Sequence, residues 1–255
     1  MTEEKLAVLI DADNVPYANV KEMMEEISRN GTPTIKRIYA DWTKPTVAGW
    51  KNVLLENAIT PVQQYSYSTG KNSSDSALII DAMDILYSEK VNGFCIVSSD
   101  SDFTRLATRL REAGMTVIGF GEKKTPKPFI SACNKFIYLE ILKTPTLETR
   151  TITKKSPRPK SRSKSISKPG TEPVDRVDAE TIRIITDSVN DLADESGWTF
   201  LGSLGNFILK KKPDFDPRNF GFPKLLSLIK YSNKFEIDER DTGQKNVRHI
   251  YLKLK

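Results

Sequence analysis

The chain has 255 residues, 38% of them hydrophobic, which is enough apolar material for one or two folded domains. Its formal net charge is +6, and no stretch approaches the roughly 18 consecutive apolar residues of a membrane-spanning helix, which excludes a protein with helical membrane spans. The opening string MTEEKLAVLIDAD lacks the pattern of a signal peptide, and Cys95 and Cys133 lie in or beside apolar segments. We therefore expect buried thiols and a reducing, cytoplasmic location.

Short apolar strands alternate with helical patterns over the first 142 residues. Strands are predicted at 6–10, 34–40, 60–65, 94–97, 116–120 and 136–139. Helices are predicted between them at 17–29, 46–57, 74–88, 103–113 and 128–132. Continuous apolar strands of this length are typical of a mainly parallel sheet that is covered on both faces. The pattern predicts a three-layer α/β/α domain at residues 1–143, with right-handed crossovers.

The composition changes sharply at residues 144–174, which are rich in Ser, Thr, Pro and Lys/Arg. Between 149 and 172 there are eight basic residues and one acidic residue, so the net positive charge of the chain is concentrated in this segment. With almost nothing to bury, the segment is predicted to be a disordered basic linker. The positive charge of this segment would favour attraction to a polyanion. It is explained equally well if the charge only keeps the linker soluble.

A second module is predicted at residues 175–255. Helical patterns at 179–193, 201–211 and 223–231 are followed by a β-hairpin in the string KFEIDERDTGQKNVRHIYLKL. Three helices and a hairpin indicate a small α+β winged-helix domain. Its basic side chains are candidates for a phosphate-binding surface, although charged helix faces are often only solvated; they are Lys210, Lys211, Lys212, Arg218, Lys224, Lys230, Lys245 and Arg248.

Aspartates in the first domain stand where an apolar strand ends or a helix begins. Asp11 ends the first strand in the string DADN, Asp75 opens a helix, and Asp100 and Asp102 follow the fourth strand in SSDSDF. The carboxyl ends of parallel strands meet at one edge of a sheet, so these side chains should converge. Crowded carboxylates repel one another unless a cation lies between them, and oxygen ligands without His or Cys suit Mg²⁺ or Mn²⁺. We therefore predict that these four acids form a catalytic metal site.

Further residues are expected to support this site. Asp13 is explained equally well as a residue of the site and as a helix cap. Asn14 is expected to cap the helix or to orient a phosphate or a metal-bound water. Lys71 is a candidate for contact with the scissile phosphate of a phosphodiester substrate, and it is equally explained as an ordinary loop lysine. The supporting set is Asp13, Asn14, Asp41, Lys71 and Ser99.

Two other polar residues are predicted to lie outside the site. Asp81 lies six residues after Asp75, about 240° around the helix, so we interpret it as a structural group or as one that supports the metal ligands from behind. The single histidine, His249, is far from the acids in sequence, which argues against a histidine-based mechanism.

The strings IDADN, KNSSDSALIIDAMD and IVSSDSDF together resemble the NYN family, a branch of the PIN-like nucleases, over residues 5–142. The resemblance implies a PIN-like fold and divalent-metal-dependent endoribonuclease activity. The acids of the family match Asp11, Asp75 and Asp100, with Asp102 as a fourth, and Asp41 matches a further acid of some relatives. Residues 175–255, through GW at 197–198 and LGSLGNFILKKKPDFDPRNFGFPKLLSLI, resemble the OST-HTH or LOTUS domain, which implies binding of RNA or of proteins of RNA metabolism.

The hypothesis from sequence is in-line hydrolysis of an RNA phosphodiester, and three alternatives remain open. The first is an RNA-binding adaptor that keeps the nuclease fold but no longer cuts. The second is a phosphatase of the haloacid dehalogenase type with Asp11 as nucleophile, although SSDSDF has the wrong acid spacing and no cap domain is apparent. The third is a DNA-binding regulator, which would leave the acidic edge without a role.

Overall fold

The computed structural model describes residues 4–65, 73–142, 177–241 and 248–255. It confirms the predicted fold class, because a six-stranded parallel sheet with helices is joined to a small second domain with its own three-stranded sheet. In the described parts of the chain no helix combines the length and the apolar character needed to cross a membrane. The linker predicted at 144–174 lies outside the described residues.

The large sheet is formed by strands β1 (Lys5–Asp11), β2 (Thr32–Ala40), β3 (Thr60–Gln63), β4 (Gly93–Val97), β5 (Thr116–Gly121) and β6 (Lys135–Tyr138). Its helices are α1 (Val20–Ser28), α2 (Trp50–Asn57), α3 (Ser73–Tyr87), α4 (Thr104–Glu112) and α5 (Lys127–Ala132). The strand order is β3-β2-β1-β4-β5-β6, and every pairing is parallel. The order reverses between β1 and β4, so a crevice is expected outside the carboxyl ends of these two central strands.

Both faces of the large sheet are buried, which explains why its central strands are apolar throughout. In β1, Val8 and Ile10 pack with Met23 of α1 on one face. Leu9 points to the opposite face and packs with Leu78 of α3. Alternate residues of a strand point to opposite faces, so a strand covered on both sides needs apolar residues at every position.

The elements agree with the sequence patterns except near their ends. The segments predicted to open the first two helices form 3-10 turns at Tyr17–Asn19 and Pro45–Val47 before α1 and α2 begin. Both turns begin at or directly after a proline, and such tight turns are common at helix N-termini. Strand β3 is shorter than predicted and lies at the sheet edge, where its Pro61 removes no pairing hydrogen bond.

The residues predicted to be structural are held within this framework. Asp81 of α3 accepts hydrogen bonds from the Arg37 guanidinium and the Tyr39 hydroxyl of β2, which confirms its structural interpretation. Cys95 and Cys133 are buried and free, as predicted. Burial raises the pKa of each thiol to about 12, so both remain protonated and unreactive at neutral pH.

The second domain contains α6 (Ala179–Leu192), β7 (Thr199–Phe200), α7 (Leu201–Lys211), α8 (Leu225–Ser232), β8 (Phe235–Asp241) and β9 (Arg248–Leu254). Its antiparallel sheet has the order β7-β9-β8, with the predicted hairpin formed by β8 and β9. Ile185, Leu204 and Leu228 of the three helices pack against Leu252 on one face of this sheet. The opposite face therefore carries the alternate side chains of each strand.

The second domain contacts the edge strand β6 of the large sheet. The Phe136 N–H donates to the Pro213 carbonyl oxygen at 2.8 Å, and the Tyr138 hydroxyl donates to Asp214 Oδ2 at 2.8 Å. Beside them the Arg218 guanidinium donates two hydrogen bonds to Glu26 of α1, at 2.9 and 3.0 Å. An exposed sheet edge is a site of unwanted pairing, and here the second domain covers part of it.

Candidate active site

Three carboxylates meet at the carboxyl edge of the large sheet. Asp75 lies in the first turn of α3, and Asp100 and Asp102 lie in the loop after β4. One oxygen atom from each side chain lies within 4.8 Å of the other two. Asp75 is only 7% exposed whereas Asp102 is exposed, so the group forms a negative pocket with one open side.

The loop after β4 holds its two acids in place through its own backbone. The Asp100 carboxylate accepts the Asp102 N–H at 2.9 Å and thereby caps a 3-10 helix at Ser101–Phe103. The Asp100 N–H donates to Ser98 Oγ at 3.1 Å. Because these bonds are local, the order Ser-Ser-Asp-Ser-Asp itself aims both carboxylates toward Asp75.

Asp11 lies beside this group but not within it. It is 1% exposed at the end of β1, and it accepts hydrogen bonds from Asn14 Nδ2 at 2.7 Å, Ser98 Oγ at 2.8 Å and the Asp13 N–H at 3.1 Å. Burial raises the pKa of Asp11, and the three hydrogen bonds only partly offset this effect. Both oxygens are thus engaged within the protein, so its role as a direct metal ligand stays a prediction.

The pKa of Asp75 shows how the neighbouring negative charges act on this site. Burial, followed by the negative charges of Asp11, Asp100, Asp102 and Asp13, raises the pKa of Asp75 from 3.8 to about 6. All five acids are therefore close enough for their charges to act at one point. This convergence was expected from the positions of the acids at strand and helix ends.

The group of three fits a hard divalent cation. Its donors are carboxylate oxygens only, the ligand type that Mg²⁺ and Mn²⁺ prefer. A cation at this point would offset the repulsion that raises the pKa of Asp75. Asp75, Asp100 and Asp102 are the residues that would hold it.

The predicted supporting residues have different surroundings. Asn14 donates to Asp11, and exposed Asp13 accepts a long hydrogen bond from Ser74 Oγ at 3.4 Å. Ser99 Oγ accepts the Glu122 N–H at 2.9 Å, which ties the loop after β4 to the end of β5. Lys71 lies outside the described residues.

Asp41 is not part of the group of three and has hydrogen-bond partners at the rim of the sheet. It is buried at the end of β2, where Oδ1 accepts from the Thr43 hydroxyl at 2.6 Å and from Gln63 Nε2 at 3.1 Å. Gln63 ends β3, so these bonds join the ends of two neighbouring strands. The geometry gives Asp41 a part in ordering the rim of the sheet.

Ser98 is a site residue that the sequence did not reveal. Its fully buried hydroxyl donates to Asp11 Oδ2 at 2.8 Å and accepts the Asp100 N–H at 3.1 Å. It thereby connects the end of β1 to the loop after β4. Its position directly after the apolar strand β4 was the only local signal, and many structural serines share it.

We predict that Ser98→Ala destabilises the protein by about 1–2 kcal/mol, because it leaves the buried Asp100 N–H and Asp11 carboxylate each without one partner. Thermal unfolding monitored by circular dichroism measures the effect. Ser28→Ala, which removes a hydroxyl bonded to its own helix at Met24 O, is the control and should change stability by less than about 0.5 kcal/mol. Equal stability of the two variants would contradict the connecting role of Ser98.

Several of the basic residues predicted to bind phosphate are engaged by acids. Lys211 Nζ lies 2.6 Å from Asp191, and Arg248 lies 3.3 Å from Glu239. Arg218 is bound by Asp216 as well as by Glu26, so its guanidinium faces the first domain. Lys212 is half-buried and Lys245 lies outside the described residues, while Lys210, Lys224 and Lys230 are exposed and stand outside these ion pairs.

Comparison with known families identifies both domains. A family model described as NYN domain matches residues 5–140, just over half of the chain. A second model, described as OST-HTH/LOTUS domain, matches residues 172–247. The curated proteins include no match to the chain.

Two solved structures are similar to parts of the chain. VPA0982 from Vibrio parahaemolyticus RIMD 2210633, a protein of unknown function, has 20% sequence identity and a TM-score of 0.45, covering 52% of this chain and 91% of that chain. An uncharacterized protein from gene locus NE0665 of Nitrosomonas europaea has 27% identity and a TM-score of 0.26, covering 41% of this chain and 92% of that chain. The family assignment depends on the family models alone.

Proposed function

The chain belongs to the NYN domain family, and on that premise we propose that it is a divalent-metal-dependent endoribonuclease whose OST-HTH/LOTUS domain binds RNA. The observation that carries the proposal is the group of Asp75, Asp100 and Asp102, with three carboxylate oxygens within 4.8 Å of one another. A mutually repelling group of acids around the buried Asp75 costs stability, and cation binding is the function that best accounts for it.

Each residue of the site has a defined task in this proposal. Asp75, Asp100 and Asp102 would hold Mg²⁺ or Mn²⁺. When bound, the ion lowers the pKa of a water molecule and stabilises the charge that develops on the phosphodiester. Asp11, fixed by Ser98 and Asn14, adds negative charge behind the group and strengthens its hold on a cation.

The geometry of the acidic site also bears on the three alternative functions. A phosphatase that used Asp11 as nucleophile would need an accessible carboxylate, whereas Asp11 is 1% exposed and accepts three hydrogen bonds. The DNA-binding regulator leaves the acidic pocket without a role. The inactive RNA-binding adaptor shares the geometry of the nuclease and differs from it only in turnover.

RNA is the proposed partner of the protein, and proteins of RNA metabolism are a second class of partner. The cytoplasmic location stays a prediction.

Metal-dependent cleavage tests the proposal. Purified protein is incubated with single-stranded and structured RNA in Mn²⁺, in Mg²⁺ or in EDTA, beside Asp100→Asn. We expect cleavage in at least one of the two metals, none in EDTA, and a loss of about 100-fold or more in the variant. Cleavage that persists in EDTA would contradict the metal site, and RNA binding without cleavage in either metal would favour the adaptor.

A further inference from the structure

The outer face of the sheet in the second domain, opposite its helices, carries a continuous group of aromatic and basic side chains. Leu252 of β9 points inward to the core, so its neighbours Tyr251 and Lys253 point outward. Strand pairing places Phe200 beside Tyr251, and Arg240 beside His249. With Trp198, which precedes β7, these six residues form what we call the aromatic face: Trp198, Phe200, Arg240, His249, Tyr251 and Lys253.

The rings of the aromatic face contact one another across two strands. The Phe200 ring centroid lies 5.0 Å from that of His249 and 5.6 Å from that of Tyr251. Gly202 leaves room for the Phe200 ring, because a Cβ atom there would lie 2.7 Å from it. Phe200 is nevertheless 36% exposed and His249 is exposed, so the rings are ordered but still open to solvent.

Two cations lie against these rings. The Arg240 guanidinium lies 4.1 Å from the Tyr251 ring centroid and 5.5 Å from that of Trp198. Lys253 Nζ lies 6.0 Å from the Trp198 ring and donates to the Ser196 carbonyl oxygen at 3.1 Å. Asp238 of β8 accepts from Arg240 at 2.8 Å, and Glu236 pairs opposite Lys253, so negative charge lies along the β8 side of the face.

We propose that the aromatic face binds the unpaired bases of single-stranded RNA. Ordered, exposed rings offer stacking surfaces for bases, and neighbouring guanidinium and ammonium groups attract the phosphates between them. The bordering acids direct the RNA backbone toward the β7 and β9 side. The proposal rests on the proposed RNA-binding role of the second domain and supplies a defined surface for it. His249, Tyr251 and Lys253 lie beyond residue 247, where the family match ends.

Equilibrium binding of a fluorescent RNA to the full chain tests the aromatic face. The assay uses a single strand of about 12 nucleotides in about 0.2 M salt, which weakens attraction to the backbone alone. EDTA is present, so binding is measured whether or not the protein cuts RNA. We expect Phe200→Ala combined with Tyr251→Ala to weaken binding by about 10-fold or more, since each stacked base contributes substantially.

A matched control separates ring stacking from general loss of aromatic surface. Tyr231 of α8 is 67% exposed and lies in the same domain outside the aromatic face, so Tyr231→Ala should keep binding within about twofold. Equal affinity of wild type and the double variant would overturn the aromatic face while leaving RNA binding intact. Absence of wild-type binding would overturn both, and the cleavage assay would still test the nuclease separately.

His249 allows a second test that does not alter the protein. It is the only histidine in the chain, so its ring proton signals need no assignment. Titration with the single strand should shift these signals as bases stack near the Phe200 and His249 pair. Binding of the RNA without any change in the His249 signals would overturn the proposal even if the double variant failed to fold.

Discussion

Replacing Asp75 by asparagine should abolish cleavage and at the same time stabilise the metal-free protein. The substitution would keep the shape of the side chain but remove the charge that Asp11, Asp100 and Asp102 repel. We expect RNA cleavage in Mn²⁺ to fall by about 100-fold or more, because one of three ligands loses its charge. The melting temperature in EDTA should rise by about 2–6 °C, because a buried, repelled carboxylate is removed.

Asp84→Asn is the matched control for this prediction. Asp84 lies on the same helix, α3, but is exposed and outside the acidic group. It should leave cleavage within about twofold and the melting temperature nearly unchanged. If Asp75→Asn lowered the melting temperature in EDTA, the repulsive pocket described above would be wrong.

The pH dependence of this stabilisation follows from the sign of the shift. The folded state raises the pKa of Asp75 to about 6, so it binds the proton more tightly than the unfolded chain, where the pKa is 3.8. Ionised Asp75 therefore costs stability above about pH 6, and this cost fades as the pH falls toward 4. The difference in melting temperature between Asp75→Asn and wild type should be largest at pH 7 and small near pH 4.5.

Replacing Arg218 by alanine should release the second domain from the large sheet. Arg218 bonds both oxygens of Glu26, which is only 5% exposed. Burial alone would raise the pKa of Glu26, but the hydrogen bonds and charge of Arg218, aided by Lys135 and Arg29, outweigh it and lower the pKa. Removing one partner of such a buried pair costs about 3 kcal/mol, because Glu26 stays buried without its two hydrogen bonds from Arg218 and keeps Arg29 as its remaining ion-pair partner.

Hydrogen exchange at one amide measures this release directly. The Phe136 N–H of β6 donates to the Pro213 carbonyl oxygen of the second domain, so it is protected only while the domains are in contact. We expect its exchange in Arg218→Ala to be about 100-fold faster than in wild type. Arg183→Ala, which removes an exposed pair with Asp187 on α6, should leave exchange at Phe136 unchanged. Wild-type protection in Arg218→Ala would show that the ion pair does not hold the domains together.

The acidic site was predictable because its signals are local. Each acid follows an apolar strand or opens a helix, and parallel strands bring such positions to one edge. The same rule does not predict which of the acids form the group of three. Asp11 has a position as favourable as that of Asp100, but the structure gives it a buried, hydrogen-bonded place outside the group of three.

The contacts that the sequence did not reveal connect residues far apart in the chain. Arg218 and Glu26 are separated by 192 positions, and nothing near Arg218 distinguishes it from the lysines before it. Ser98 meets Asp11 across 87 positions. His249 is far from the acids in sequence, which gives no sign of a role, whereas strand pairing places it on the aromatic face beside Phe200. Such roles depend on tertiary pairing, which periodicity and composition do not encode.

Calorimetric titration with Mn²⁺ tests the metal site most directly, because it needs neither an RNA substrate nor turnover. Wild-type protein should bind Mn²⁺ saturably, with affinity that falls as the pH drops through the pKa of Asp75 at about 6. Asp75→Asn should bind about 100-fold more weakly, while Asp84→Asn should bind as wild type does. Wild-type affinity in Asp75→Asn, or no saturable binding to the wild-type protein, would contradict a cation site formed by Asp75, Asp100 and Asp102.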